Sequence, residues 1–168
     1  MKIIYMRDPF VNPFPLEDTD RREIWDMLVT RDIDAFLAAD WSRVAGDFIE
    51  TGFLAINGNK ADNPDRWTLA FPDLAAYRDE WLRQAQGFAK ETFAEDPRTA
   101  IFTTTNLTEI EIAGDTALVR KKFDGSILKA DGTRDIMLWQ TLYTCRRDGG
   151  RWKIAGFTGY LPYPMGTA

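Results

Sequence analysis

The stretch Ile136-Met137-Leu138-Trp139-Gln140-Thr141-Leu142-Tyr143-Thr144-Cys145 decides the fold. Side chains alternate across a β-strand, so Met137, Trp139, Tyr143 and Cys145 share one face while Ile136, Leu138, Gln140 and Leu142 share the other. Both faces are largely apolar. An antiparallel sheet can leave one face in water, so two apolar faces predict that helices cover one of them and a second subunit covers the other.

Turn signals bracket this strand on either side: Ala113-Gly114-Asp115, Ala130-Asp131-Gly132 and Asp148-Gly149-Gly150. They divide the C-terminal half into a four-stranded meander over about residues 100–112, 116–128, 134–147 and 151–161. Gly156 and Gly159 in the last strand suit a bend in the sheet or the close approach of another backbone.

Upstream of the meander the period changes from two to 3.6. Leu74, Tyr77, Trp81, Ala85 and Phe88 recur at spacings of three and four, which predicts a long amphipathic helix starting at Pro72 and Asp73. Before it, Asn57 to Asp65 reads as a loop. The segment from Ser42 to Ile56, broken by Gly46 and Gly52, suits two short strands or bulged segments. Two shorter helices precede it. One begins around Asp18 to Asp20, where Asp20 and Glu23 have capping-box spacing, and buries Ile24, Trp25 and Leu28. The next begins at Asp32, acting as cap, carries Ile33, Phe36 and Leu37, and ends near Asp40. Pro9, Pro13 and Pro15 make residues 1–15 an extended arm, leaving residues 16–168 as one folded domain.

Composition narrows the function classes. Hydrophobic residues at 45% against 28% charged are an ordinary globular balance, and 168 residues suffice to bury a core without metals or disulfides. A net charge of -5 lacks the positive field that draws phosphate backbones, so nucleic acid is not expected as a partner. Ile3 to Met6 is too short for a signal-peptide core, no apolar run approaches a membrane span, and Cys145 is the sole cysteine; the expected location is cytoplasmic. The chain contains no histidine. That removes the imidazole-activated serine or cysteine nucleophile and the histidine-ligated metal sites, and leaves proton chemistry to carboxylates, Tyr, Lys or Cys. No glycine-rich phosphate loop, paired-cysteine motif or calcium loop occurs, so neither a cofactor nor a metal is expected. Asn106-Leu107-Thr108 matches the glycosylation triplet, and without a secretory signal it should be inert.

Two short helices, an irregular β segment, a long third helix and a four-stranded meander ending Arg151-Trp152-Lys153-Ile154 resemble the nuclear transport factor 2-like superfamily, with its ketosteroid isomerases, scytalone dehydratases and polyketide cyclases. The resemblance covers roughly residues 16–162 and rests on element order and patterning. It implies an α+β fold in which three N-terminal helices pack on a strongly curved, mixed but mostly antiparallel sheet. That sheet would form a cone with an interior pocket and frequently dimerises through its outer face. Family enzymes commonly use an interior carboxylate or an aspartate-histidine pair, and the second pattern is absent from a chain with no histidine.

The resemblance places an inward-facing catalytic carboxylate at Asp47 or Glu50, where either residue would act as acid or base in a partly dry cavity. The plainer alternative is two solvated carboxylates flanking Phe48 and Ile49. Tyr77 and Trp81 on the third helix, and Trp139 and Tyr143 on the strand, offer aromatic walls with two hydroxyls for orientation, or simply core packing. Trp41, just past the second helix, is counted with them. Strand alternation puts Lys121 on one face with Ala117, Val119 and Phe123, where it either enters the cavity or snorkels out.

Three functions fit these readings. The first is a homodimeric, cofactor-independent protein whose pocket binds a small, mainly apolar organic molecule. The second is an isomerase, dehydratase or cyclase using an interior carboxylate with Tyr77 or Tyr143 as hydrogen-bond donor. The third is an interaction module whose exposed sheet face binds a different protein.

Overall fold

The structure, a computed structural model, describes residues 7–164. Its helical part opens with α1 (Thr19–Trp25), capped by the Asp18 carboxylate, which accepts from the main-chain N–H of Arg21. The box expected from Asp20 and Glu23 does not form, because Asp20 turns to the sheet and accepts from the Trp152 indole at 3.1 Å and from Arg147 at 2.7 Å. Without a break, α1 widens into a π-helical segment (Asp26–Arg31) and continues as α2 (Asp32–Leu37).

The expected start of a separate helix at Asp32 is thereby corrected. Its main-chain N–H donates to Val29, where an α-helix would pair it with Leu28. The buried Lys121 ammonium donates to the Leu28 carbonyl instead. Asp32 sits inside a helical run, and its carboxylate answers Lys121 at 3.0 Å rather than capping.

Two 3₁₀ turns (Trp41–Arg43 and Ala45–Asp47) lead to β1 (Leu54–Asn57). A further 3₁₀ turn (Pro64–Arg66) and β2 (Thr68–Phe71) follow, the latter a strand the sequence reading did not contain. The long helix appears as α3 (Leu74–Ala89), capped by the Asp73 carboxylate on the N–H of Ala76, with Trp81 and Ala85 buried on the anticipated stripe. The first meander strand starts later than expected. Residues Pro97–Thr104 form α4, with Pro97 in its first turn and Asp96 capping Thr99, and only then does β3 (Thr105–Ala113) begin. The remaining strands fall close to their anticipated places as β4 (Thr116–Leu128), β5 (Arg134–Asp148) and β6 (Arg151–Leu161).

The six strands make one sheet in the order β2-β1-β6-β5-β4-β3. All neighbouring pairs are antiparallel except β1 with β6, so the sheet is mixed and the architecture α+β. The sheet does not close on itself, and β2 and β3 are its edge strands. Register shifts in β3, β5 and β6 mark bulges that re-aim side chains where they occur.

The inner face carries Ala117, Val119, Lys121 and Phe123 opposite Cys145, Tyr143, Thr141 and Trp139. Helices cover it, with Ile24, Trp25, Met27 and Leu28 buried beside Val119 and Trp152 in one apolar cluster. On the outer face Leu54, Leu118, Ile136 and Leu138 are exposed. Residues 7–15 of the anticipated arm lie against the helices: Phe10 packs on the Phe102 ring, and the Asn12 amide donates to Asp26. Residues 1–6 of that arm lie outside the described residues. Among the described residues no helix is long and apolar enough to cross a membrane.

Candidate functional site

Between the helices and the inner sheet face lies a cavity of about 450 Å³. Its walls are apolar and largely aromatic: Ile33 and Phe36 from α2, Trp81 and Phe88 from α3, Phe123 from β4 and Phe157 from β6. Arg83, Gly87 and Glu91 also line it and are exposed, so the opening lies along the C-terminal half of α3.

Besides Arg83 and Glu91 at the opening, the lining carries an ion pair and three phenols. Asp32 enters from the junction of the π segment with α2, and Lys121 meets it from β4 at 3.0 Å. Lys121 is only 1% exposed, and its ammonium also donates to Leu28 and lies 5.2 Å from the Phe123 ring centre. A buried lysine tolerates such a site only with partners of this kind.

Three phenols face the same charge. Burial first, then neighbouring Tyr143 and Asp32, push the Tyr77 hydroxyl well above its ordinary range. Burial followed by Asp32 does the same to Tyr143. Tyr160 is also raised by burial, partly offset by its hydrogen bond with Gln84. All three therefore stay neutral and able to donate or accept at neutral pH. The Tyr77 and Tyr143 hydroxyls bond to no described residue, whereas Tyr160 Oη lies 3.0 Å from Gln84 Oε1.

Of the residues singled out in the sequence, Tyr77, Trp81, Lys121, Trp139 and Tyr143 come together in the cavity lining. Trp41 stands behind that wall. Its ring stacks on Phe48 with centres 5.0 Å apart and meets Trp81 edge-on at 5.3 Å.

Asp47 and Glu50 are not brought to the cavity. Asp47 is buried, and both of its oxygens are occupied: Arg31 binds them in bidentate fashion at 2.7 and 2.9 Å, and Arg151 adds a further bond to Oδ1. That clamp ties the π segment to β6 and holds the carboxylate outside the cavity lining. Glu50 sits exposed ahead of the turn that leads into β1. The cavity carboxylate that pairs with Lys121 is Asp32, read from sequence only as a helix cap, while Glu91 lines the exposed opening.

Tyr160 and Gln84 were also passed over. Tyr160 occupies a left-handed backbone conformation, φ 55°, within a β6 bulge opposite Gln140–Leu142. Alternation along a regular strand cannot place such a residue. Gln84 lies one residue off the apolar stripe of α3 and carried no signal of its own. Among the described residues no three acidic, cysteine or histidine side chains are grouped to hold a metal ion.

No protein-family model and no curated protein matches the sequence. Solved structures match it over most of its length. A nuclear transport factor 2-like protein of unknown function from Pseudomonas putida is 18% identical with a TM-score of 0.55, the match covering 86% of this chain and 87% of that one. A nuclear transport factor 2-like protein with a cystatin-like fold from Novosphingobium aromaticivorans is 16% identical, TM-score 0.54, over 89% and 85%. A domain of unknown function with a cystatin-like fold from Nostoc punctiforme is 15% identical, TM-score 0.57, over 84% and 76%. At these identities the shared property is the fold.

Proposed function

Because this chain has the nuclear transport factor 2-like, cystatin-like fold, with a helix-lined space over its sheet, we propose that it binds a small, mainly apolar organic molecule bearing an oxygen function at one end. The carrying observation is the make-up of the cavity: aromatic and aliphatic walls among which stand the Asp32–Lys121 ion pair and three neutral phenols. Apolar walls supply affinity by burial, and a few placed polar groups set orientation. No cofactor is required by this reading, and the cytoplasm is the proposed location.

Gly87 provides the test. It lines the opening, and a Cβ built there meets nothing within 4 Å, so a large side chain can be added without disturbing the core. Gly87→Trp is expected to weaken binding of naphthalene at least tenfold, read by quenching of tryptophan fluorescence, while the melting temperature stays within a few degrees. Equal binding by both proteins would remove the cavity as the binding site.

The second reading is a cofactor-independent isomerase, dehydratase or cyclase, favoured by a carboxylate inside the cavity close to neutral hydroxyl donors. The acid/base role then moves from Asp47 and Glu50 to Asp32, with Tyr77 or Tyr143 as donor. A screen of apolar ketones, epoxides and alcohols decides it: turnover that Asp32→Asn abolishes without abolishing binding supports an enzyme.

We also propose that two copies pair through the outer sheet face, where Ile136 at 58% and Leu138 at 44% exposure stand two residues apart on β5 and Leu118 is exposed further along the same face of β4. Sedimentation should show a dimer that Leu138→Lys converts to monomer. A wild-type monomer would shift that face to the interaction-module reading.

A further inference from the structure

We infer that Gln84 turns Tyr160 into a hydrogen-bond acceptor toward the cavity, so that the site selects ligands carrying an O–H or N–H donor on an apolar frame. This rests on the cavity reading above and adds to it the sense of one hydrogen bond.

The hydrogen-bond network starts at the surface of α3. Arg83 donates to both oxygens of Glu80, at 2.7 Å from Nε and through Nη2, and these bonds hold the Glu80 carboxyl below its usual range. At neutral pH Glu80 is a carboxylate, which only accepts. The Gln84 amide lies 3.0 Å from Glu80 Oε1 and must present its NH₂ group there, which turns its carbonyl oxygen toward Tyr160 Oη, also at 3.0 Å. A carbonyl has no proton to give, so Tyr160 donates. The phenol's single proton is thereby committed, and only its lone pairs remain for a ligand.

The backbone holds Tyr160 in place from the other side. Its carbonyl accepts from the Lys60 N–H at 2.7 Å, and the preceding Gly159 carbonyl accepts from Gly58 at 2.7 Å, which pins the bulge where the residue adopts φ 55°. A non-glycine residue in the left-handed region persists only where its surroundings enforce it. Tyr77 and Tyr143, whose hydroxyls bond to no described residue, keep their protons for a ligand oxygen. The three phenols therefore offer two donors and one committed acceptor, and the Asp32 carboxylate near them also accepts, a combination that a phenol or an alcohol completes and an ether does not.

Three probes test it on the full chain: 1-naphthol, 1-methoxynaphthalene and naphthalene, each titrated by tryptophan fluorescence. Wild type should bind 1-naphthol roughly three- to tenfold more tightly than 1-methoxynaphthalene, the span of one net hydrogen bond. Gln84→Met frees the Tyr160 hydroxyl to rotate and donate, so 1-methoxynaphthalene should gain and the ratio should fall to about two or less. Tyr160→Phe should close the ratio in the opposite way, by weakening 1-naphthol alone. A merely structural role would shift all three probes together, and melting temperatures of both variants verify folding. Equal wild-type affinity for naphthol and ether, or a ratio unchanged by both substitutions, overturns the inference and would transfer any donor selectivity to Asp32. If no probe binds, the cavity reading falls and the inference falls with it.

Discussion

Asp32 and Asp47 are only 15 positions apart and chemically identical, yet one lines the cavity and the other is a structural tie. The difference lies in their partners. Asp47 shares two guanidiniums, and its side chain is 4% exposed while those of Arg31 and Arg151 are 38% and 44% exposed. Asp47→Asn leaves both arginines able to regain water, so the loss should fall below that of a fully buried pair, about 1–2 kcal/mol by urea unfolding. Probe binding should not change, since the residue does not touch the cavity. A second prediction concerns Cys145, which is 0% exposed and whose thiol burial pushes up to about 12. It should resist a thiol reagent such as Ellman's in the native protein at pH 8 and react fully on unfolding. Rapid native labelling would contradict its placement. At this scale the sequence singled out four aromatics of the cavity lining, Tyr77, Trp81, Trp139 and Tyr143, because large aromatics on a correctly phased helix or strand point the same way, and passed over Phe36, Phe88, Phe123, Phe157 and Tyr160. It missed Asp32, because a partner arriving from β4 leaves no local trace.

The elements show what periodicity can and cannot convey. The stripe on α3 and the turns between β4, β5 and β6 were legible, since each is written in adjacent residues. The segment Thr99-Ala100-Ile101-Phe102-Thr103-Thr104, rich in β-branched side chains, reads as strand yet folds as the body of α4. Asp96 and Pro97 are the cap and first-turn signals that outweigh it. In the π segment joining α1 to α2, the Leu28 carbonyl is held by Lys121, 93 residues away in the chain, a partner that local periodicity does not reveal. Glycines supply an element-scale prediction. A Cβ at Gly156 would lie 2.3 Å from the carbonyl oxygen of Leu54, a backbone atom that cannot rotate aside. Gly156→Ala should therefore strain the parallel β1–β6 pairing and cost about 2–3 kcal/mol in thermal or urea unfolding. Gly87→Ala, in open space on α3, should instead stabilise by about 0.5–1 kcal/mol.

For the whole molecule, the absence of histidine shapes the response to pH. The carboxyls of Asp20, held low chiefly by the Trp152 indole, and of Glu80 and Glu109, held low by Arg83 and Lys122, sit below their unfolded values. Their stabilisation is present above the unfolded range near pH 4 and is lost as pH falls through the folded values. Cys145, Tyr77 and Tyr143 are displaced upward, so their contribution is present at neutral pH and lost as pH rises beyond about 9. The melting temperature should be level from about pH 5 to 8 and decline on both sides. A transition near pH 6.5 would contradict this. What the sequence by itself determined was the α+β class, the helices-then-meander order, the apolar character of both faces of β5 and the exclusion of imidazole chemistry. Those properties depend on which residues are near one another along the chain. Only the tertiary structure decided that the sheet stays open, that Asp32 rather than Asp47 enters the cavity, and that Tyr160 faces it with its proton already given to Gln84. Each of these depends on a contact between distant segments, with a direction set by a bulge, a π turn or an arginine clamp that hydrophobic patterning does not encode.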